Sequence, residues 1–228
     1  MDGNGRWATQ KGLPRIEGHR QGVVVVREII EACVKHDIGY LSLFTFSHEN
    51  WSRPLDEVNF LMELFISALQ KELPELIEKG VRLRFLGAKE GLSDNLVEQM
   101  AQAENQTRHN SRLQLNLALN YTGKWDILNA AKKCLDQGIS SEDLDARVFE
   151  SRLSTFELPD PDLMIRTSGE KRISNFFLWQ LAYTELYFTD VLWPDFNTAS
   201  FEEALNYYLS RERRFGKTSQ QIRDEKHV

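Results

Sequence analysis

At 228 residues, with 41% hydrophobic and 27% charged side chains, the chain is long enough for one compact globular domain with a sizeable core. A formal net charge of −6 excludes the basic face of a general nucleic-acid binder, so no nucleic-acid partner is expected. Apolar stretches such as residues 60–69 end well short of the roughly 20 residues that span a bilayer, and no basic start leads into an apolar h-region. No transmembrane segment is expected, and the chain reads as cytoplasmic.

The chain opens on a glycine-rich block, Asp2-Gly3-Asn4-Gly5-Arg6-Trp7, which reads as a turn. Apolar residues recurring at three and four positions then predict a helix over 22–36, followed by a strand over 40–46 and a polar loop over 47–53. Pro54 suits the first turn of a helix over 55–79, Asp56 and Glu57 complement the positive end of its dipole, and Pro74 is expected to kink or interrupt it. Its stripe of Phe60, Leu61, Leu64, Phe65, Ala68 and Leu69 is either plain core or, in part, the wall of an apolar tunnel. Strands over 81–86, 113–119, 163–165 and 185–188 and helices over 93–109, 125–138 and 201–215 complete the pattern. The polar tail after Gly216 is expected to fray. Strand alternating with helix predicts an α/β fold with a central, mostly parallel sheet flanked by helices. No repeat or linker divides residues 1–228, so a single domain is expected. Cys33 and Cys134 lie in helical segments without metal spacing and read as buried thiols.

In an open α/β sheet, ligands bind beyond the carboxyl ends of the strands. Three loops sit there: Ser47 to Arg53, Asn120 to Gly123, and Arg166 to Glu170. Cations collect at such loops and near the start, where Arg6, Lys11, Arg15, His19 and Arg20 crowd together, while Arg53, Arg166, Lys171 and Arg172 follow strands. Guanidinium groups concentrated at the loops of an acidic chain suit a small, highly charged anion such as a diphosphate. Glycines let backbone amides approach its oxygens, and an adjacent aspartate can hold the magnesium that bridges them. Gly3-Asn4-Gly5-Arg6-Trp7-Ala8 fits the loose dinucleotide pattern, but no strand precedes it and Arg6 and Trp7 crowd the turn. Gly216-Lys217-Thr218 lacks the earlier glycine of a P-loop and ends a helix instead of starting one.

Taken in order, Met1 to Ala8, Phe46-Ser47-His48-Glu49-Asn50-Trp51-Ser52-Arg53-Pro54, Asn120-Tyr121, Ile165-Arg166-Thr167-Ser168-Gly169-Glu170, Arg172-Ile173-Ser174-Asn175-Phe176 and Glu185-Leu186-Tyr187-Phe188 cover almost the whole chain. They resemble the signature blocks of cis-prenyltransferases, specifically the bacterial undecaprenyl diphosphate synthases. The resemblance implies that fold with its tunnel, a homodimer and Mg2+ as cofactor. It also implies repeated condensation of isopentenyl diphosphate onto an allylic diphosphate, farnesyl diphosphate, with cis double bonds. The product would be undecaprenyl diphosphate, the lipid-carrier precursor of bacterial cell-wall synthesis, released with peripheral membrane contact.

By the same resemblance Asp2 is the catalytic aspartate that binds magnesium and helps the allylic diphosphate leave. Gly3, Asn4, Gly5, Arg6, Arg15 and His19 would form the allylic diphosphate pocket, with Trp7 near the first isoprene units. Arg166, Arg172, Ile173 and Ser174 would form the isopentenyl diphosphate site, and Glu185 would reach the magnesium, from the same or the partner subunit. Between the two sites would lie the loop of Ser47, His48, Glu49, Asn50, Trp51 and Arg53. The family's proposed proton acceptor is Asn50; an amide is a poor base, so positioning of substrate or a water is the alternative role. Arg214-Phe215-Gly216 resembles a tail that completes the neighbouring site across a dimer. Relatives carry a short apolar strand before the aspartate block, whereas here Met1 directly precedes Asp2, so the sheet is expected to lack that strand. A non-catalytic partner subunit is the competing reading, but such subunits lack the aspartate and much of the diphosphate pocket, and Asp2, Arg6, His19, Arg166 and Arg172 are all present. No D-D-x-x-D run of the trans-prenyltransferases occurs.

Overall fold

The computed structural model describes residues 1–214, 218, 220 and 221; the expected fraying tail and the Phe215-Gly216 part of the tail motif lie outside them. Seven α-helices and five strands are present among the described residues. In chain order these are α1 (Asn4–Gln10), α2 (Arg15–Lys35), β1 (Tyr40–Ser47), α3 (Leu55–Glu78), β2 (Val81–Leu86), α4 (Asp94–Thr107), β3 (Leu113–Tyr121), α5 (Gly123–Asp136), α6 (Ala146–Glu150), β4 (Leu163–Arg166), β5 (Glu185–Phe188) and α7 (Thr198–Leu209). Helix starts follow the sequence chemistry. Ser93, Thr122, Asp145 and Asn197 each turn a side-chain oxygen back onto a backbone N–H of the first turn, satisfying a donor that the helix itself cannot.

All strand pairs are parallel, as expected, but they form two sheets, one ordered β1-β3-β2 and the other β4-β5. β3 is central and buried along most of its length, which is why it reads as Leu-Gln-Leu-Asn-Leu-Ala-Leu-Asn-Tyr with little polar relief. Consecutive residues of both β1 and β4 border one cavity. Successive side chains of a strand point to opposite faces, so it is the edges of β1 and β4, not one face of each, that meet this space. The main core lies between α2, α3 and the first sheet, around Val25, Ile29, Leu43, Leu69, Leu83 and Leu115.

Two local readings change. α2 begins at Arg15, not residue 22, and the glycine-rich opening is a helix, not a turn. Gly18 and Gly22 lower the local helix signal, yet they are what lets α1 lie on α2. A Cβ on Gly18 would fall 1.9 Å from the Asn4 carbonyl oxygen, and one on Gly22 would meet Asn4 Oδ1 at 2.5 Å. Pro74 does not interrupt α3, which runs unbroken over 24 residues. The carbonyl that loses its donor is that of Gln70, an exposed residue, where the missing bond costs least.

Candidate active site

Asp2 is fixed by its backbone before its side chain does anything. Its N–H donates to Thr167 Oγ1 at 2.9 Å, the same hydroxyl donates back to the Asp2 carbonyl at 2.8 Å, and Trp193 N–H donates to that carbonyl at 3.0 Å. The carboxylate, delivered in this way to the carboxyl end of β4, accepts from Arg166 Nη2 at 3.0 Å. Burial would raise the Asp2 carboxyl, but the hydrogen bond and charge of Arg166 outweigh it and hold the group below the usual carboxylate range.

Arg166 spans the candidate sites. While one terminal nitrogen holds Asp2, the other donates to Ser174 Oγ at 2.7 Å and to the Arg172 carbonyl. The segment that supplies these acceptors is unusual. Ser168, Ser174, Asn175 and Phe177 all have positive φ without being glycine, a conformation that persists only where surrounding contacts impose it. Arg6 reaches across from α1 to Ser168 Oγ and to Glu170, and Glu170 also pairs with Arg172.

On the opposite wall, Arg15 and His19 stand four residues apart on the first turns of α2, and Arg53 follows the 3-10 turn His48–Ser52. All three face Glu57. Burial first, then the charges of Arg53 and Arg15 with only partial relief from Glu57, pushes His19 down to about 4, so its imidazole is neutral at pH 7. Asn50 Oδ1 accepts the Ser47 N–H at 3.0 Å and closes the turn. Glu49 accepts from Asn175 Nδ2 at 3.0 Å, which joins this loop to the strained segment.

These groups crown a cavity of about 1390 Å³, larger than the usual range for a small-ligand pocket. Below the cations its wall is apolar, with Val23, Val26 and Ile30 of α2 facing Leu61, Leu64, Phe65 and Ala68 of α3. Leu61, Leu64, Phe65, Ala68 and Leu69 of that α3 stripe border the cavity, while Leu69 also belongs to the main core and Leu61 and Phe65 pack on a buried cluster, so the stripe is part wall and part core. At the far end, about 27 Å along α3 from Glu57 by helical rise, polar groups return. There Arg27 grips Glu72 at 2.9 and 2.6 Å, and Lys79 pairs with Glu75 and Glu31.

The cavity therefore gathers Asp2, Gly3, Asn4, Gly5, Arg6, Arg15, His19, Ser47, Glu49, Asn50, Arg53, Arg166, Arg172, Ile173 and Ser174 from the residues singled out in the sequence. Four stand outside its lining. Trp7 turns its indole N–H to Asp195 Oδ1 at 2.7 Å beneath the Lys11 ammonium. His48 packs edge-on to Trp125, and Trp51 donates to Asn120 Oδ1 at 2.8 Å, so both brace the loop. Glu185 pairs in register with Leu163, three residues before Arg166 on the adjacent strand, about 10 Å from Asp2's end, and its carboxylate meets Arg211 at 3.3 Å. The chain does not bring Glu185 to Asp2 by itself. Among the described residues no three His, Cys, Asp or Glu side chains cluster as a ready metal cage. Thr167, Asn175 and Glu57 were not singled out for the roles they hold; the i,i+4 spacing of Arg53 and Glu57 was the one legible hint.

Residues 1–216 match the family described as "Putative undecaprenyl diphosphate synthase". The chain belongs to the cis-prenyltransferase family. It is 58% identical over 224 residues, 96% of this chain and 94% of the other, to the ditrans,polycis-undecaprenyl-diphosphate synthase ((2E,6E)-farnesyl-diphosphate specific) of Legionella pneumophila (strain Paris). It is 50% identical over 226 residues, 97% and 95% of the two chains, to the protein of the same name from Coxiella burnetii (strain RSA 493 / Nine Mile phase I). The crystal structure of lavandulyl diphosphate synthase from Lavandula x intermedia in complex with dimethylallyl diphosphate superposes with a TM-score of 0.91 at 37% identity, covering 95% of each chain. The cis-prenyltransferase fold thus places Asp2, Arg6, Arg15, Arg53, Arg166 and Arg172 together at one end of a long space whose α2–α3 wall is apolar up to the Arg27–Glu72 pair. That is the arrangement a substrate with an anionic head and a growing hydrocarbon tail requires.

Proposed function

We propose that this chain condenses isopentenyl diphosphate repeatedly onto farnesyl diphosphate to give undecaprenyl diphosphate, acting as one cytoplasmic, homodimeric enzyme domain. One observation carries the reading: Asp2 and Arg166, held at 3.0 Å, stand at the charged head of a cavity whose wall between α2 and α3 is apolar as far as the Arg27–Glu72 pair. Arg6, Arg15, neutral His19 and Arg53 bind and orient the allylic diphosphate, and their fixed positive charge favours its departure as an anion. Arg166, Arg172 and Ser174 hold the second diphosphate, so that the isopentenyl double bond faces the allylic carbon being uncovered. The apolar wall excludes water from the allylic cation, and the lengthening chain slides along α3. Asn50 acts by positioning, because its amide oxygen is already engaged by the Ser47 N–H and an amide is a weak base.

Magnesium fits the donors present. Asp2 offers an ionised hard-oxygen ligand, partly exposed at the mouth, and this ion is commonly held by one or two carboxylates plus substrate phosphates. Bound there, it supplies positive charge that neutralises the leaving diphosphate. Glu185 is proposed to join such a site only from the partner subunit. Large apolar residues exposed at Leu128, Leu135, Tyr183 and Leu209 support a dimer or a membrane-facing surface for product release, and no helix among the described residues is long and apolar enough to cross a membrane. The test is incorporation of labelled isopentenyl diphosphate into extractable lipid with farnesyl diphosphate, with and without magnesium. Long-chain product from the wild type that disappears in Asp2→Ala supports the reading, and equal incorporation by both proteins overturns it.

A further inference from the structure

Glu57 lies just behind the lining of the charged head, on the first turn of α3, with its side chain only 15% exposed. Its carboxylate is the meeting point of three cationic or titratable side chains from two other segments. Oε1 accepts from Arg53 Nη1 at 3.2 Å and stands 3.9 Å from His19 Nε2, while Oε2 stands 3.5 Å from Arg15 Nε. Each guanidinium is engaged through one nitrogen, so most of both forks remains available. The Arg15 fork lies directly over Gly5, where a Cβ would come within 2.7 Å of it, and this pins it against the glycine-rich block. Among the described residues, Glu57 is therefore the only acidic group that ties the α2 side of the pocket to the loop carrying Asn50.

We propose that Glu57 is a positioning residue for the allylic diphosphate: its carboxylate holds Arg15 and Arg53 converged beside His19 before the anion arrives, so that their remaining donors meet it without rearrangement. The proposal rests on the diphosphate reading above and adds a residue to it. A carboxylate beside an anion site also repels the anion, and the sign of the net effect is what matters. One fixed negative charge faces a ligand that sees Arg6, Arg15 and Arg53 together. Without Glu57, the two long side chains repel one another, recover their rotamer freedom and must be ordered by the ligand itself. Loss of alignment outweighs relief of one repulsion. The role is one of positioning because Glu57 acts through its partners and does not line the cavity.

The experiment is calorimetric titration of the full chain, as wild type, Glu57→Gln and Glu57→Asp, with inorganic pyrophosphate and separately with farnesyl diphosphate. Glu57→Gln is expected to bind both about tenfold more weakly, and Glu57→Asp to recover most of the loss. In an Arg15→Met, Arg53→Met background, Glu57→Gln is expected to cost little more, because its partners are gone. Steady-state assays should show the KM for farnesyl diphosphate rising more than that for isopentenyl diphosphate. Pyrophosphate binding by Glu57→Gln as tight as or tighter than wild type overturns the proposal, as does an equal loss in the Arg15, Arg53 double variant. If the wild type binds pyrophosphate but not farnesyl diphosphate, the prenyl reading fails, and the pyrophosphate comparison still decides the role of Glu57. Unchanged far-ultraviolet circular dichroism and melting temperature separate the effect from misfolding, with Glu57→Asp as the milder variant.

Discussion

Arg166 and Asp2, 164 positions apart in the chain, form an ion pair of 3.0 Å in which the arginine is nearly buried and the aspartate is half-exposed. The same guanidinium holds Ser174, so a single planar group spans the two proposed diphosphate sites. Arg166→Met should lower kcat/KM by roughly 10²- to 10³-fold, as loss of a preorganised donor does. Arg166→Lys should recover little, because an ammonium cannot span both partners in that fixed geometry. Steady-state kinetics with both substrates checks this, and near-complete rescue by lysine would refute the bridging role.

His19 predicts a pH dependence of stability. Its folded pKa of about 4 lies below the unfolded value near 6.5, so the unfolded chain binds the extra proton first as pH falls. The contribution is therefore fully present above about pH 6.5 and is lost as pH drops toward 4. Over that window the wild type should lose up to about 3 kcal/mol more unfolding free energy than His19→Gln. Urea titrations of both proteins at pH 7, 5.5 and 4 measure the difference, and parallel curves would contradict it.

Gly18→Ala tests the seating of α1. Alanine favours a helix by about 1 kcal/mol over glycine, but here its methyl meets the Asn4 carbonyl, which is backbone and cannot swing aside. The net effect should be a destabilisation of about 1–3 kcal/mol with a larger loss of activity, since α1 carries Arg6. Denaturant midpoints beside turnover rates decide this, and a more stable variant would show that α1 is not tightly seated.

Ala68→Phe fills part of the apolar wall without touching the charged head. Product chains should be shorter, while the rate of the first condensation changes by less than about threefold, because uniform contacts far from the reacting atoms alter binding more than chemistry. Mass spectrometry of the extracted lipid reads the length distribution directly. An unchanged distribution would mean that the chain does not grow past α3.

Much of the local structure was legible because it is local. Strands 81–86 and 185–188 appear at their expected bounds, and α3 begins where Pro54 and Asp56 placed it. Gly18 and Gly22 misled for the opposite reason. Their value lies in contact with Asn4 and Trp193, which no helical period records, so the first turns of α2 and all of α1 went unread. The aspartate, arginine and loop blocks named residues that border one cavity, whereas Trp7, His48 and Trp51 of the same blocks lie outside its lining and make contacts with Asp195, Trp125 and Asn120.

By itself the sequence determined the order of strands and helices, their parallel pairing and the residue types that crowd the strand ends. Periodicity and capping act within a few positions, and they are written wherever those residues stand. Only the tertiary structure decided that the strands divide into two sheets bordering one cavity, that Glu185 lies at the end of β5 away from Asp2, and that Glu57 gathers Arg15 and Arg53 beside His19. Those outcomes depend on which distant surfaces pack together. Close packing leaves each side chain one place, and a carboxylate at a helix start gains its role only when Arg15 and Arg53 are brought to it.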